Sequence, residues 1–173
     1  MRKILVVVDM QKDFVDGALG TKEAVAIVPG VVEKIRAYNA EDVFFTKDTH
    51  QRDYMSTQEG KNLPVEHCIE GTPGWELDKV VEQVLRGSVV VNKPTFGSAE
   101  LAGMISDIAS KEEIEIELIG LCTDICVVSN ALLLKAFMPE VKISVDPACC
   151  AGVTPQKHEA ALETMRSCQI DVK

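Results

Sequence analysis

Three side chains of the kinds that carry out nucleophilic catalysis stand at the ends of apolar segments. Asp9 and Lys93 each follow a short run rich in β-branched residues, and Cys126 follows the run Ile114–Ile119 at the start of a helical pattern. A carboxylate can take the proton of a neighbouring thiol and later pass it to a leaving amine, and a lysine stabilises the anionic forms of both groups. Together the three residues predict a cysteine nucleophile with an acid–base partner.

Each of these side chains also has an ordinary structural interpretation. Cys126 could be a buried apolar cysteine, Asp9 a loop-capping carboxylate and Lys93 a surface lysine. Two features favour catalysis. A carboxylate placed after five apolar residues is costly to bury unless it has a partner or opens into a cleft. In addition, the first turn of the predicted helix Ile125–Phe137 presents unpaired N–H groups to Cys126, which favours its thiolate.

A second group of residues has the composition of a metal site. The polar segment Asp48–Gly74 is longer than a usual βα connection and holds two of the three histidines, His50 and His67. Asp48 and His50 have D-x-H spacing, which places both side chains on one side of an extended chain. This set suits a borderline divalent cation such as zinc, iron or manganese, with solvated loop histidines as the alternative. The third histidine, His158, is predicted to lie at the surface.

The elements that must position these groups alternate between strand and helix along the chain. This order predicts an α/β protein, a three-layer α/β/α doubly wound fold with a mainly parallel sheet of five to six strands. In such sheets, ligands bind beyond the carboxyl ends of the strands. The predicted strands are Ile4–Val8, Val43–Thr46, Ser88–Val91, Ile114–Ile119 and Val141–Val145. The predicted helices are Val28–Tyr38, Glu76–Leu85, Ala99–Ile108, Ile125–Phe137 and Pro155–Ser167.

Composition excludes several classes of function. The 173 residues carry a formal net charge of -9 with acidic residues spread along the chain, so no cationic face is available for nucleic acid or for an anionic membrane. The apolar run Ile4–Val8 is too short for a signal peptide or a membrane span, and we expect a cytoplasmic protein. The six cysteines follow no disulfide framework. The length predicts a single domain, residues 1–173.

Several short motifs, in the same order along nearly the whole chain, resemble the isochorismatase-like cysteine hydrolases. The nicotinamidase branch of that superfamily is the most similar. The matching segments are Val8-Asp9-Met10-Gln11-Lys12-Asp13-Phe14, Asp48-Thr49-His50, His67-Cys68 followed by Gly71-Thr72, Lys93, and Gly120-Leu121-Cys122-Thr123-Asp124-Ile125-Cys126-Val127.

The resemblance implies amide hydrolysis, most simply of nicotinamide to nicotinate and ammonia through a thioester. Asp9, Lys93 and Cys126 match the catalytic triad of the family. The backbone amides of Cys122 and Cys126 match its oxyanion hole, and the bond Leu121–Cys122 corresponds to a cis peptide in these enzymes.

The resemblance also implies a metal and a substrate pocket. Asp48, His50 and His67 match the metal ligands of nicotinamidases, and Glu59 is a candidate fourth ligand, with a solvated loop glutamate as the alternative. The metal is expected to be zinc, with iron or manganese as alternatives, and to bind the pyridine nitrogen. Phe14 and Leu19 match pocket positions, Phe96 can take over aromatic packing, and Trp75 is added because of its position in the sequence.

Two other functions stay open. Glu100 stands where many nicotinamidases have an aromatic residue, which leaves room for another small carboxamide or a ureido compound as substrate. A noncatalytic metal-binding or thiol-redox module is the alternative from a different class. Isochorismatase activity itself is disfavoured because Cys126 occupies a position where those enzymes use no thiol. The resemblance further implies a homo-oligomer, either a dimer or a tetramer.

Overall fold

Six parallel strands form the central sheet, in the spatial order β3-β2-β1-β4-β5-β6. The structure is a computed structural model that describes all 173 residues. The strands are β1 (Arg2–Val8), β2 (Val43–Asp48), β3 (Val89–Lys93), β4 (Ile114–Leu121), β5 (Lys142–Ala151) and β6 (Asp171–Val172). This arrangement confirms the predicted fold class.

Helices cover both faces of the sheet. They are α1 (Lys12–Val15), α2 (Lys22–Arg36), α3 (Gln58–Asn62), α4 (Lys79–Glu82), α5 (Ala99–Ala109), α6 (Val128–Phe137) and α7 (Pro155–Ser167). One apolar core joins the sheet to α5, α6 and α7. The other core joins it to α1, α2 and α4. None of the helices combines the length and the apolar character that crossing a membrane requires.

Strand β1 shows why a continuous apolar run predicts a central strand. Residues Ile4 to Val8 are all fully buried. Because side chains alternate along a strand, Ile4 and Val6 enter the core beneath α5 to α7, whereas Leu5 and Val7 enter the core beneath α2. The strand is therefore apolar on both faces and ends where the carboxylate of Asp9 begins.

Three helices differ from their predicted bounds by three residues or more. Helix α6 starts at Val128 rather than Ile125, because a π-helical turn, Thr123–Val127, precedes it. Helix α2 starts at Lys22 rather than Val28, because Thr21 caps it by accepting a hydrogen bond from Ala24 N, and Pro29 lies inside the helix. The predicted helix Glu76–Leu85 shrinks to the single turn α4. Its first residues are instead extended, since Leu77 forms an isolated β-bridge to Gln11.

The long segment after β2 is ordered by a small core of its own. It contains a 3₁₀ turn, Tyr54–Ser56, followed by α3. Tyr54 is fully buried, and its hydroxyl donates to the Leu63 carbonyl at 2.8 Å. Gly60 packs so closely against the Tyr54 carbonyl that any Cβ there would collide with it. These contacts lie within the segment and fix its local shape.

Candidate active site

Asp9, Lys93 and Cys126 lie in contact at the carboxyl edge of the sheet. The ammonium Nζ of Lys93 is 2.7 Å from Asp9 Oδ2 and 3.4 Å from Cys126 Sγ. All three residues are buried, with at most 3% of their surface exposed. Asp9 follows β1 with a φ of 46°, a left-handed conformation that is uncommon for a residue other than glycine. The arrangement brings together groups that are 84 and 33 positions apart in sequence.

One oxygen of the Asp9 carboxylate accepts a hydrogen bond, and the other is free to accept a proton. Thr46 Oγ1 donates to Oδ1 at 2.6 Å. Oδ2 faces Lys93 but receives no hydrogen bond of good geometry. Burial raises the pKa of Asp9 above its usual 3.8, and it does so although Lys93 acts in the opposite direction. Asp9 is therefore a stronger base than an exposed aspartate.

Lys93 stays protonated in spite of its burial. Desolvation disfavours the ammonium, but Asp9, Cys126 and Asp48 outweigh it and raise the pKa of Lys93. Nζ also donates to the Thr95 carbonyl at 3.1 Å and lies 3.6 Å from Asp48 Oδ1. One cation thus faces both the Asp9 carboxylate and the predicted metal site.

Cys126 lies in a π-helical turn, Thr123–Val127, that precedes α6. Burial is the largest cause that raises the pKa of the thiol well above its usual value, and the charge of Asp9 raises it further. The charge of Lys93 lowers this pKa but does not outweigh the other two effects. The expectation that a helix N-terminus favours the thiolate is therefore wrong, because desolvation and the nearby carboxylate dominate. Burial and the Asp9 carboxylate thus favour the protonated thiol.

The backbone around Cys126 has two special features. The Leu121–Cys122 peptide bond is cis, as the resemblance implied. Gly120 has a φ of 117°, and a Cβ there would collide with the Val8 carbonyl in β1. The N–H of Cys122 donates no hydrogen bond within the chain, whereas its carbonyl accepts from Ile125 N and Val127 N.

Sequence reasoning missed Asn130, which ties Cys126 to the loop after β3. Its Nδ2 donates to the carbonyl of Cys126 at 2.8 Å and to that of Phe96 at 3.1 Å, and its Oδ1 accepts from Ser98 N at 2.9 Å. Asn130 is buried on α6. A polar residue inside an otherwise apolar helical pattern was the signal that could have identified it.

Asp48, His50, Glu59 and His67 form a compact group whose potential ligand atoms all lie within 4.8 Å of one another. His50 Nε2 is 3.0 Å from Asp48 Oδ2 and 3.5 Å from Glu59 Oε1. His67 Nε2 is 3.6 Å and 3.8 Å from the same two oxygens. His67 Nδ1 is bonded to the Val65 carbonyl at 2.8 Å, so its Nε2 faces the group.

The donor set fits a divalent cation. His50 Nε2 is buried and, although it lies close to Asp48 Oδ2, makes no hydrogen bond of good geometry. A buried polar atom in this state is unfavourable, and a bound cation would satisfy it. Two imidazole nitrogens and two carboxylates are ligands that zinc, iron and manganese accept. The four predicted ligands are thus brought together, although three of them are distributed along the segment after β2.

A cavity of about 490 Å³ opens over Cys126 and the metal-ligand group. Phe14, Leu19 and Phe96, which the sequence analysis placed in the substrate pocket, are among the residues that line this cavity. Gln58, Asn62, Leu63 and Ile125 also line it, and sequence reasoning did not find them. The full lining is Phe14, Leu19, Asp48, Gln58, Glu59, Asn62, Leu63, His67, Phe96, Cys122, Ile125 and Cys126.

Trp75 does not belong to this wall, which corrects its predicted role. Its indole N–H donates to Thr49 Oγ1 at 2.9 Å, and Lys47 Nζ lies 3.2 Å from the ring centroid. The ring is thereby held outside the cavity. Glu100, on the first turn of α5, is exposed and also lies outside the cavity. His158 is not purely a surface group, since its Nδ1 lies 2.7 Å from Thr123 Oγ1.

Comparisons with solved structures give the same fold over the whole chain. A pyrazinamidase of Pyrococcus horikoshii in complex with zinc has 27% sequence identity and a TM-score of 0.79, covering 100% of this chain and 99% of that one. A nicotinamidase/pyrazinamidase from Bacillus subtilis has 26% identity and a TM-score of 0.84, covering 99% of both chains. PnC1 from L. infantum in complex with nicotinate has 20% identity and a TM-score of 0.82, covering 99% of this chain and 92% of that one, and at this identity it shows the fold alone.

The six-stranded parallel sheet between two helical layers defines a three-layer α/β/α protein, in common with these structures. A family model for the isochorismatase domain matches residues 3–172. The chain belongs to the isochorismatase family, which confirms the resemblance found in its motifs. No curated protein has a significantly similar sequence.

Proposed function

We propose that this protein hydrolyses a small carboxamide, with nicotinamide as the first candidate, and that Cys126 is the nucleophile. The observation that carries the proposal is the buried contact of Lys93 with both Asp9 and Cys126 beside a cavity that Cys126 lines. The structural similarity to pyrazinamidases and nicotinamidases with 26–27% identity supports the same class of substrate.

In the first half of the proposed reaction, Cys126 Sγ attacks the amide carbonyl while Asp9 takes the thiol proton. The N–H groups of Cys122 and Cys126 stabilise the oxyanion, an effect worth roughly 2.7–4 kcal/mol per donor in comparable sites. Lys93 keeps the buried negative charge on sulfur and carboxylate balanced. The C–N bond then breaks, and the proton on Asp9 leaves with the amine as ammonia.

In the second half, water hydrolyses the thioester. Asp9, again a carboxylate, takes a proton from the water as its oxygen attacks the acyl carbon. The C–S bond breaks, Asp9 returns the proton to sulfur, and the carboxylic acid leaves. The raised pKa of Asp9 suits a group that must accept and release a proton twice in each cycle.

Asp48, His50, His67 and Glu59 would hold a divalent metal, which we propose to be zinc, with iron or manganese as alternatives. When bound, the metal would act as a Lewis acid with a coordination position open to the ring nitrogen of the substrate. Phe14, Leu19 and Phe96 would pack on the ring and bring the carboxamide to Cys126. Cytoplasmic location, homo-oligomeric assembly and single-domain organisation over residues 1–173 stay predictions from the sequence.

Ammonia release from a panel of nicotinamide, pyrazinamide, benzamide and an N-carbamoyl compound tests the proposal. We expect turnover of nicotinamide, and a higher KM for benzamide because it lacks the ring nitrogen. Cys126→Ala should abolish turnover, whereas the same change at the exposed Cys168 should have no effect. Full activity of Cys126→Ala would rule out the nucleophile, and turnover of the N-carbamoyl compound alone would move the protein to the ureido alternative.

A further inference from the structure

The motif around Asp9 contains two polar residues, Gln11 and Asp13, to which the proposed mechanism gives no role. Gln11 is fully buried, and every polar atom of its side-chain amide is hydrogen-bonded. Its Nε2 donates to the carbonyl of Asp48 at 2.8 Å and to that of Trp75 at 2.9 Å. Its Oε1 accepts from the N–H of Asp48 at 2.7 Å.

This pairing fixes the backbone of a predicted metal ligand. On one side of Asp48, strand β2 pairs with the parallel strand β3, and Asp48 lies opposite Lys93 in that pairing. On the other side, the pairing of β1 with β2 ends at Val8 and Thr46, before Asp48 is reached. The amide of Gln11 takes the place of the missing strand by bonding both backbone polar groups of Asp48. The peptide planes that flank Asp48 therefore cannot rotate without breaking two buried hydrogen bonds.

Asp13 does the same for the segment that carries His67. Its Oδ2 accepts from the N–H of Cys68 at 2.8 Å, directly after His67, at a residue with a φ of 48°. The carboxylate fits against Gly74 so closely that a Cβ there would collide with it. A left-handed residue is unfavourable unless its surroundings hold it. Asp13 thus fixes the backbone where the chain returns to the metal-ligand group.

We propose that Gln11 and Asp13 are positioning residues for the metal site. They hold the backbones of Asp48 and of the His67–Cys68 segment in place, so that the two ligands face each other before a metal binds. The inference rests on the metal site in the proposed function. It assigns to one short segment, residues 9–14, both the acid–base group of the reaction and the support of two ligands on separate parts of the chain.

The test measures zinc affinity, by competition with a chromophoric chelator, in the metal-free full chain. Gln11→Met removes the amide at nearly constant size, and Asp13→Asn replaces one carboxylate oxygen by an N–H₂ group. Each change should weaken zinc binding about 10-fold to 100-fold, the range seen when partners of metal ligands are removed. The d–d spectrum of bound Co²⁺ should also change, because ligand geometry determines it.

Two substitutions of the same kind serve as controls. Gln83→Met changes an exposed residue directly after α4. Asp16→Asn changes the residue directly after α1, whose carboxylate is half exposed. Both should bind zinc with wild-type affinity. Thermal unfolding and alkylation of Cys126, measured on every variant, separate loss of the site from loss of the fold.

The outcomes are distinct. Folded Gln11→Met and Asp13→Asn proteins with wild-type zinc affinity and Co²⁺ spectrum would overturn the positioning role. So would failure of both variants to fold, since their contacts would then be required for the fold as a whole. If the wild-type chain binds no zinc, iron or manganese, the metal site falls and this inference falls with it, whereas amide hydrolysis by Cys126 is judged separately by ammonia release.

Discussion

At the scale of single residues, the state of the proton on Cys126 decides how the site can react. Burial keeps the thiol protonated, and burial also makes Asp9 a stronger base than usual. The two groups share Lys93, which is close to both. Proton transfer from sulfur to carboxylate is therefore expected to accompany attack on the substrate rather than to precede it.

Removal of the base should abolish most of the activity. Asp9→Asn keeps the size of the side chain but cannot take the thiol proton, and we expect kcat/KM to fall by about 10²-fold to 10⁴-fold. Asp107→Asn, the same exchange at an exposed position of α5, should be silent. Steady-state rates of ammonia release give the comparison. An Asp9→Asn enzyme as active as the wild type would remove Asp9 from the mechanism.

The protonation state of Cys126 can be measured directly. In a Cys168→Ser background, the rate of alkylation of Cys126 by iodoacetamide, followed by peptide mass spectrometry, should keep rising as the pH increases beyond 9, because the pKa of the thiol is raised above its usual 9.0. A rate that reaches its plateau near neutral pH would show a resting thiolate, and the role of Asp9 as base would then be unnecessary.

The sequence placed some of these residues better than others. Asp9 and Lys93 could be selected because a charge that ends an apolar strand must open into a cleft or find a partner. Gln11 could not, since a neutral amide gives no such signal and its partners are backbone groups distant in sequence. Asn130 gave only the weaker signal of a polar residue inside an apolar helical pattern. The pKa direction of Cys126 was also out of reach, because burial depends on the packed structure rather than on position at a helix start.

At the scale of elements, the close parallel pairing of β4 with β1 sets the position of the turn that carries Cys126. Gly120 makes this close approach possible, since its φ of 117° and its contact with the Val8 carbonyl both exclude a side chain. The pairing of β4 with β5 shifts register between Leu118 and Gly120, so the strand is already irregular there.

A methyl group at Gly120 should therefore be costly. We expect Gly120→Ala to destabilise the protein by at least about 1–3 kcal/mol, the usual range for one residue in a disfavoured backbone conformation, and to reduce activity. Gly103→Ala in α5 is the matched control, because a Cβ there meets open space and a helix interior favours alanine by about 0.5–1 kcal/mol. Urea unfolding measures both, and a stable, active Gly120→Ala would contradict this explanation.

Elements with continuous apolar runs were predictable, whereas those fixed by contacts outside the segment were not. The stretches Ile4–Val8 in β1 and Leu118–Leu121 in β4 carry no polar side chain, because both faces of the sheet are covered there. The start of α2 lies six residues before the predicted Val28, because Thr21 caps the helix and Pro29 lies inside it. The predicted start of α4 at Glu76 is three residues early, because Leu77 pairs with Gln11 and Asp78 caps the helix.

At the scale of the whole molecule, a buried carboxylate on the face of the sheet that α2 covers connects distant parts of the chain. Glu117 in the middle of β4 receives hydrogen bonds from Lys34, Tyr38 and Lys173, at distances of 2.6–3.1 Å. Burial opposes its charge, but Lys173, Tyr38 and Lys34 outweigh burial and lower its pKa below the usual 4.5. The charged form therefore stabilises the folded state.

This linkage has a defined sign. Because the folded pKa of Glu117 is lowered, its contribution is present above pH 4.5 and is lost as the pH falls through the lower, folded value. We expect Glu117→Gln to cost about 1–3 kcal/mol near neutral pH and progressively less in acid. Urea unfolding of both proteins from neutral pH into acid measures this difference in stability, and Glu140→Gln at an exposed position is the control. A difference between wild type and Glu117→Gln that does not change with pH would contradict the linkage.

The central claim is that an acyl group passes through the sulfur of Cys126. Rapid acid quench of the wild-type protein during turnover of nicotinamide, followed by peptide mass spectrometry, tests it directly. The predicted result is a nicotinoyl group on the peptide that contains Cys126, absent after the substrate is consumed and absent in Cys126→Ala. An acyl group on a different residue, or wild-type turnover by Cys126→Ala, would contradict the claim.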